Sequence, residues 1–137
     1  MMMNTATRTQ WALTLLRITM GVVFIAHGSQ KVLGLFGGPG LSGFVSWIGG
    51  YGIPSYLAYL AAFAELIGGA LLLLGIYAEL GALMVIPVMA GALILIHKSQ
   101  GFFIQNNGFE YVLCLLVILF SIILAGPGYL ALIRFRR

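Results

Sequence analysis

Five ionisable side chains lie in or beside long apolar runs: His27, Lys31, Glu65, His97 and Glu110. Inside a bilayer such groups are costly, so each needs a partner or a purpose. His27 and Lys31 are four residues apart and share one helix face. His97 ends an apolar run, and Glu110 begins the next. Together these types suit a ligand whose oxygens change protonation state. An imidazole can donate to a carbonyl, carboxyl groups can relay protons, and an ammonium can hold developing negative charge. The expectation is one pocket, with His27, Glu65 and Glu110 doing the proton chemistry and His27, Lys31, His97, Phe103 and Tyr111 binding the ligand. Phe24, Phe63 and Phe102 would complete its walls. Ordinary polar decoration of helix ends at a water interface is the plainer alternative, and composition does not exclude it.

Arg17 is a sixth such group. It stands roughly 9 Å into the first apolar run, counted from Trp11 at 1.5 Å per residue. Glu65 stands roughly 15 Å from the same side, counted back from Gly75. An Arg17–Glu65 ion pair would relieve both burials, and snorkelling to headgroups is the alternative for Arg17. No metal site is expected, because HExxH, ExxH and clustered histidines are all missing from the sequence. The single cysteine, Cys114, excludes an internal disulfide and a CxxC redox pair.

Four apolar stretches must position these groups, over residues 11–33, 55–74, 80–96 and 109–125. Each approaches the ~20 residues needed to cross about 30 Å of hydrocarbon. Lipid offers no partner for unpaired backbone groups, so the stretches must be helices. The first could pass for a secretory signal, but Arg17 interrupts its apolar core and we expect it to be retained. Pro87 should kink the third. Gly126-Pro127-Gly128 stops the fourth. Residues 34–54 carry no charge, and Leu41, Phe44, Val45 and Ile48 recur at helical spacing, which predicts an interfacial or re-entrant helix.

Composition agrees. Hydrophobic residues make up 61% of the 137 and charged residues 7%, against roughly a quarter charged in soluble domains. The fold class is therefore all-α: an integral membrane four-helix bundle forming a single domain over residues 1–137. The net charge of +4 comes from scattered or terminal basic residues and predicts no nucleic-acid partner. Arg8, Arg17, Arg134, Arg136 and Arg137 lie on the side of the termini, against Lys31 and Lys98 on the other. That asymmetry places both termini in the cytoplasm.

In order, these residues resemble the DoxX family. Arg17-Ile18-Thr19-Met20-Gly21, Phe24, His27-Gly28 and Lys31 look like its first helix, and Glu65-Leu66-Ile67-Gly68-Gly69 looks like its second. His97, Gly101-Phe102-Phe103, Gly108-Phe109-Glu110-Tyr111 and Gly126-Pro127-Gly128 continue the pattern. The resemblance implies a small four-helix membrane protein of a group labelled as oxidoreductases. One relative is a subunit of a thiosulfate:quinone oxidoreductase, and others are linked to thiol and oxidative stress. Two departures, Tyr77-Ala78-Glu79 where a basic residue is common and Tyr129-Leu130-Ala131-Leu132 in the tail, bear on partner contacts at the terminal side.

The leading expectation is a membrane component of an oxidoreductase system that meets a quinone in the outer half of the plasma membrane. With no redox centre of its own, it would need a protein partner to supply or accept electrons. It could also form a homo-oligomer. Two other readings stay open: an assembly or scaffold subunit without chemistry of its own, and a small transporter lined by Arg17 and Glu65.

Overall fold

The computed structural model describes residues 3–135. Four long helices form the bundle: α1 (Thr5–Leu33), α3 (Ser55–Leu74), α4 (Ala78–Ala92) and α5 (Glu110–Ala125), with a short α2 (Gly40–Gly49) between the first two. The first helix begins well before Trp11, because the Asn4 side chain accepts from the Thr7 N–H at 2.8 Å and caps an otherwise polar first turn. The third span continues past Ala92 as a π-turn over Leu93–His97 and a 3-10 turn to Gln100, so Ala78–Gln100 is one apolar unit. It, α1 and α3 are long and apolar enough to cross a membrane. The 16-residue α5 is shorter, spanning roughly 24 Å.

Close approach of α1 and α3 organises the bundle. A Cβ on Gly21 would meet the Leu73 backbone at 2.5 Å, and one on Gly28 would meet Leu66 at 2.6 Å. One on Gly69 would meet Ile25 at 2.7 Å. Missing side chains let the backbones touch, as small residues do between membrane helices. The two helices run antiparallel, and each facing pair of positions sums to 94. By the same count, Glu65 stands level with Ser29 on α1, while Arg17 stands level with position 77, beyond the end of α3.

That register corrects the expected Arg17–Glu65 pair. About 18 Å of helix separates Arg17 from the level of Glu65, and no arginine side chain reaches so far. Arg17 is fully buried and binds main-chain carbonyls instead. Its Nη1 donates to Leu72 O at 2.6 Å and Leu73 O at 2.9 Å, its Nε to Pro127 O at 2.8 Å, and its Nη2 to Tyr129 O and Leu130 O. The carbonyls of Leu72 and Leu73 belong to the last turn of α3, which carries the negative end of the helix dipole and is short of backbone donors, Gly75 N–H reaching Leu72 O at 3.2 Å. A cation with five N–H groups fits that need.

The same guanidinium pins the tail. After Gly126-Pro127-Gly128 the chain folds back across this end of the bundle. Ile133 N donates to Gly75 O at 3.1 Å, and Tyr77 N donates to Ile133 O at 2.9 Å. Thr14 Oγ1 lies 3.0 Å from Tyr129 O. Arg136 and Arg137, which enter the orientation expectation, lie outside the described residues.

The uncharged connector is helical because its apolar residues line one side. Phe44 and Ile48 are buried with Ala58, Ala62 and Ile96, and Leu41 and Val45 pack against them. A second cluster joins the long helices through Phe24, Leu72, Val85, Leu115, Leu119 and Ile122.

Replacing Arg17 with Lys keeps the charge but loses the fork, and should cost about 3 kcal/mol, since hydrogen bonds to charged groups contribute roughly 1.5–3 kcal/mol each. Thermal unfolding in detergent measures this; a loss under ~0.5 kcal/mol would mean the carbonyl cradle is incidental. In a double-mutant cycle, Arg17→Gln and Glu65→Gln should be additive within ~0.5 kcal/mol. Coupling beyond that would restore the direct pair.

Candidate functional site

Glu65 is the most buried carboxylate of the bundle, with its side chain 1% exposed. The α1–α3 register sets it between the levels of His27 and Lys31, so Lys31 reaches it from the neighbouring helix. Lys31 Nζ makes an ion pair with Glu65 Oε1. The same ammonium lies 5.2 Å from the centroid of the Phe44 ring, which α2 holds above it. The other carboxylate oxygen, Oε2, is buried and has no hydrogen-bond partner among the described residues. Such a group is expensive unless something else completes it.

A cavity of about 600 Å³ opens beside this pair. All five helices contribute: Phe24, His27 and Lys31 from α1, Phe44 and Trp47 from α2, Leu57 and Glu65 from α3, Met84 and Pro87 from α4, and Tyr111 from α5. His97 and Asn107 close the end distant from the chain termini. The walls are mostly apolar and the polar groups few, which is the usual make-up of a small-molecule site. His27 is accessible, lies within electrostatic range of Lys31 and Glu65, and has no hydrogen-bond partner among the described residues. The His97 ring is held: its Nδ1 lies 2.8 Å from the Asn107 carbonyl oxygen.

The structure thus brings together His27, Lys31, Glu65, His97 and Tyr111, with Phe24 as a wall. It leaves out Glu110, Phe63, Phe102 and Phe103. Glu110 follows Phe109 at the start of α5, where its charge suits the helix N-terminus. Its neighbour Tyr111 faces the cavity, and adjacent helical residues point about 100° apart. Phe103 is 60% exposed because the loop folds on itself. Phe102 packs edge-on against Phe103 and Phe109, while Phe109 N donates to Gly101 O and Glu110 N to Phe102 O. That closure turns Asn107, not Phe103, toward the cavity.

Sequence reasoning missed Phe44 and Trp47. Both carried a signal, since they lie on the uncharged connector, whose helical spacing was visible. The Lys31–Glu65 pair was not legible in the sequence, because it depends on the register of α1 against α3.

Replacing Lys31 with Met strands a buried carboxylate and should cost about 2 kcal/mol. That is below the ~3–5 kcal/mol of a fully buried pair, because the Lys31 side chain is 20% exposed. Adding Glu65→Leu should recover at least half of the loss in a detergent unfolding assay. A double variant no more stable than Lys31→Met alone would mean that the two groups do not act as a pair.

Comparisons with known proteins place this architecture. A Bacillus subtilis (strain 168) protein named "Putative oxidoreductase CatD" is 34% identical over 118 residues, covering 86% of this chain and 81% of its own. A Haemophilus influenzae relative, named only as an uncharacterized protein, is 31% identical over 124 residues, covering 88% of this chain and 87% of its own. No solved structure matches. The DoxX family model matches residues 12–98, which hold Arg17, His27, Lys31, Glu65 and His97, and the chain belongs to the DoxX family.

Proposed function

We infer that this protein is the membrane-embedded component of an oxidoreductase system and that its cavity binds a quinone headgroup. One observation carries the reading: His27 and the Lys31–Glu65 pair, from two helices locked in register, converge on a mostly apolar cavity of about 600 Å³. The name of the Bacillus subtilis relative points to the same class of chemistry.

The residues fit such a ligand. Lys31 spends one of its three N–H groups on Glu65 and has others to offer a carbonyl oxygen. His27 can donate or accept, and Glu65 Oε2 is an acceptor without a protein partner among the described residues. A bound quinone would supply two-electron, two-proton chemistry. The chain would orient the ring between Phe24, Phe44 and Tyr111, hold developing negative charge with Lys31, and move protons through His27 and Glu65. Electrons would come from, or go to, a protein partner. The same reading expects the protein in the plasma membrane with both termini cytoplasmic, and the basic residues at the terminal side support that orientation.

Lipid extracted from purified protein should contain quinone in near-stoichiometric amount. His27→Ala should abolish quinone-linked turnover while leaving the protein folded and inserted. A stoichiometric protein partner without quinone would replace this reading with the assembly role. Reporter fusions after Gly52 and Asn106 should score as external, and a cytoplasmic signal at either would reverse the orientation.

A further inference from the structure

His97 sits where α4 leaves regular geometry. Over Leu93–His97 the helix widens into a π-turn, a feature that resets the facing of the residues after it and recurs at functional sites. Opposite it, Asn107 adopts the left-handed conformation with φ 61° and ψ 26°, which asparagine tolerates better than most residues. Gly108 behind it is packed so tightly that a Cβ there would meet Gly101 O at 2.5 Å. The loop therefore holds the Asn107 carbonyl oxygen in place, 2.8 Å from His97 Nδ1.

A carbonyl oxygen only accepts, so Nδ1 must carry the hydrogen. In the neutral ring, the second nitrogen then has a lone pair and no hydrogen. That nitrogen, Nε2, has no hydrogen-bond partner among the described residues, and the ring lines the cavity. The two polar ends of the cavity are thus unlike. Lys31 at one end offers N–H groups, and His97 at the other offers an acceptor.

We propose that His97 is a specificity-determining residue that makes the cavity prefer the hydroxyl-bearing, reduced form of its ligand. The inference rests on the quinone reading above. A hydroquinone satisfies both ends, because a hydroxyl donates to His97 Nε2 and a hydroxyl oxygen accepts from Lys31. A quinone satisfies Lys31 but sets a carbonyl lone pair against the lone pair of Nε2. One hydrogen bond made rather than forfeited corresponds to roughly tenfold in affinity.

The test uses the full chain in nanodiscs with a decyl-tailed benzoquinone and its reduced hydroquinone, titrated under argon. The reduced probe should bind roughly tenfold more tightly to the wild type. His97→Phe should collapse that ratio, chiefly by weakening the reduced probe, and His97→Gln, which keeps an acceptor, should restore part of it. Nitrogen NMR of histidine-labelled wild type should show His97 with its hydrogen on Nδ1, a readout that survives even if His97→Phe does not insert. Equal affinity for the two probes, equal weakening of both by His97→Phe, or a hydrogen on Nε2 would each overturn the proposal and leave the quinone reading standing. Failure of both probes to bind the wild type would remove the quinone reading and this proposal with it.

Discussion

The antiparallel contact between α1 and α3 is the constraint on which the rest depends. Gly21, Gly28 and Gly69 remove the side chains that would hold the helices apart, so the backbones meet in one register. Sliding by one turn would drive a backbone or a Cβ into Leu66 or Leu73, and packed interiors do not absorb such overlaps. The register decides which charges can meet. It carries Glu65 to the level of Lys31 and leaves Arg17 facing the carbonyls in the last turn of α3.

The two buried charges are handled by different physics. Arg17 is saturated: its donors all go to main-chain oxygens, three of them in the tail, so the interaction knits α1, α3 and the last segment into one unit. Glu65 is only half satisfied, with one oxygen on Lys31 and the other unpartnered beside a cavity. A saturated buried charge is architecture, whereas a half-satisfied one beside open volume marks where a ligand can add a bond. The residues matched by the family model include Arg17 and Glu65, while the tail carbonyls and Tyr111 lie beyond them.

Local irregularities aim the remaining groups. The short α2 lowers Phe44 onto Lys31, and the π-turn of α4 brings His97 to a carbonyl that a left-handed asparagine presents. The π-turn and the left-handed asparagine depart from ideal helix geometry, and Phe44, His97 and Asn107 all line the cavity. The regular helices are mostly apolar, with Arg17, His27, Lys31 and Glu65 among the exceptions.

By itself the sequence determined the class of structure and the inventory of groups. Apolar stretches of membrane-spanning length, the stop at Gly126-Pro127-Gly128 and the helical spacing of Leu41, Phe44, Val45 and Ile48 follow from solvation and backbone hydrogen bonding, which act locally and need no partner. The same locality made His27, Lys31, Glu65 and His97 visible as groups out of place in lipid. Only the tertiary structure decided who meets whom. Depth along a helix was legible, but Arg17 and Glu65 were matched by depth alone, and depth says nothing of register. Likewise Glu110 and Tyr111 are adjacent in the chain, yet helical rotation sends one into the cavity and the other away from it. Register and rotation are set by steric contact between segments far apart in sequence, here by glycines against leucines, and that contact exists only once the helices have packed.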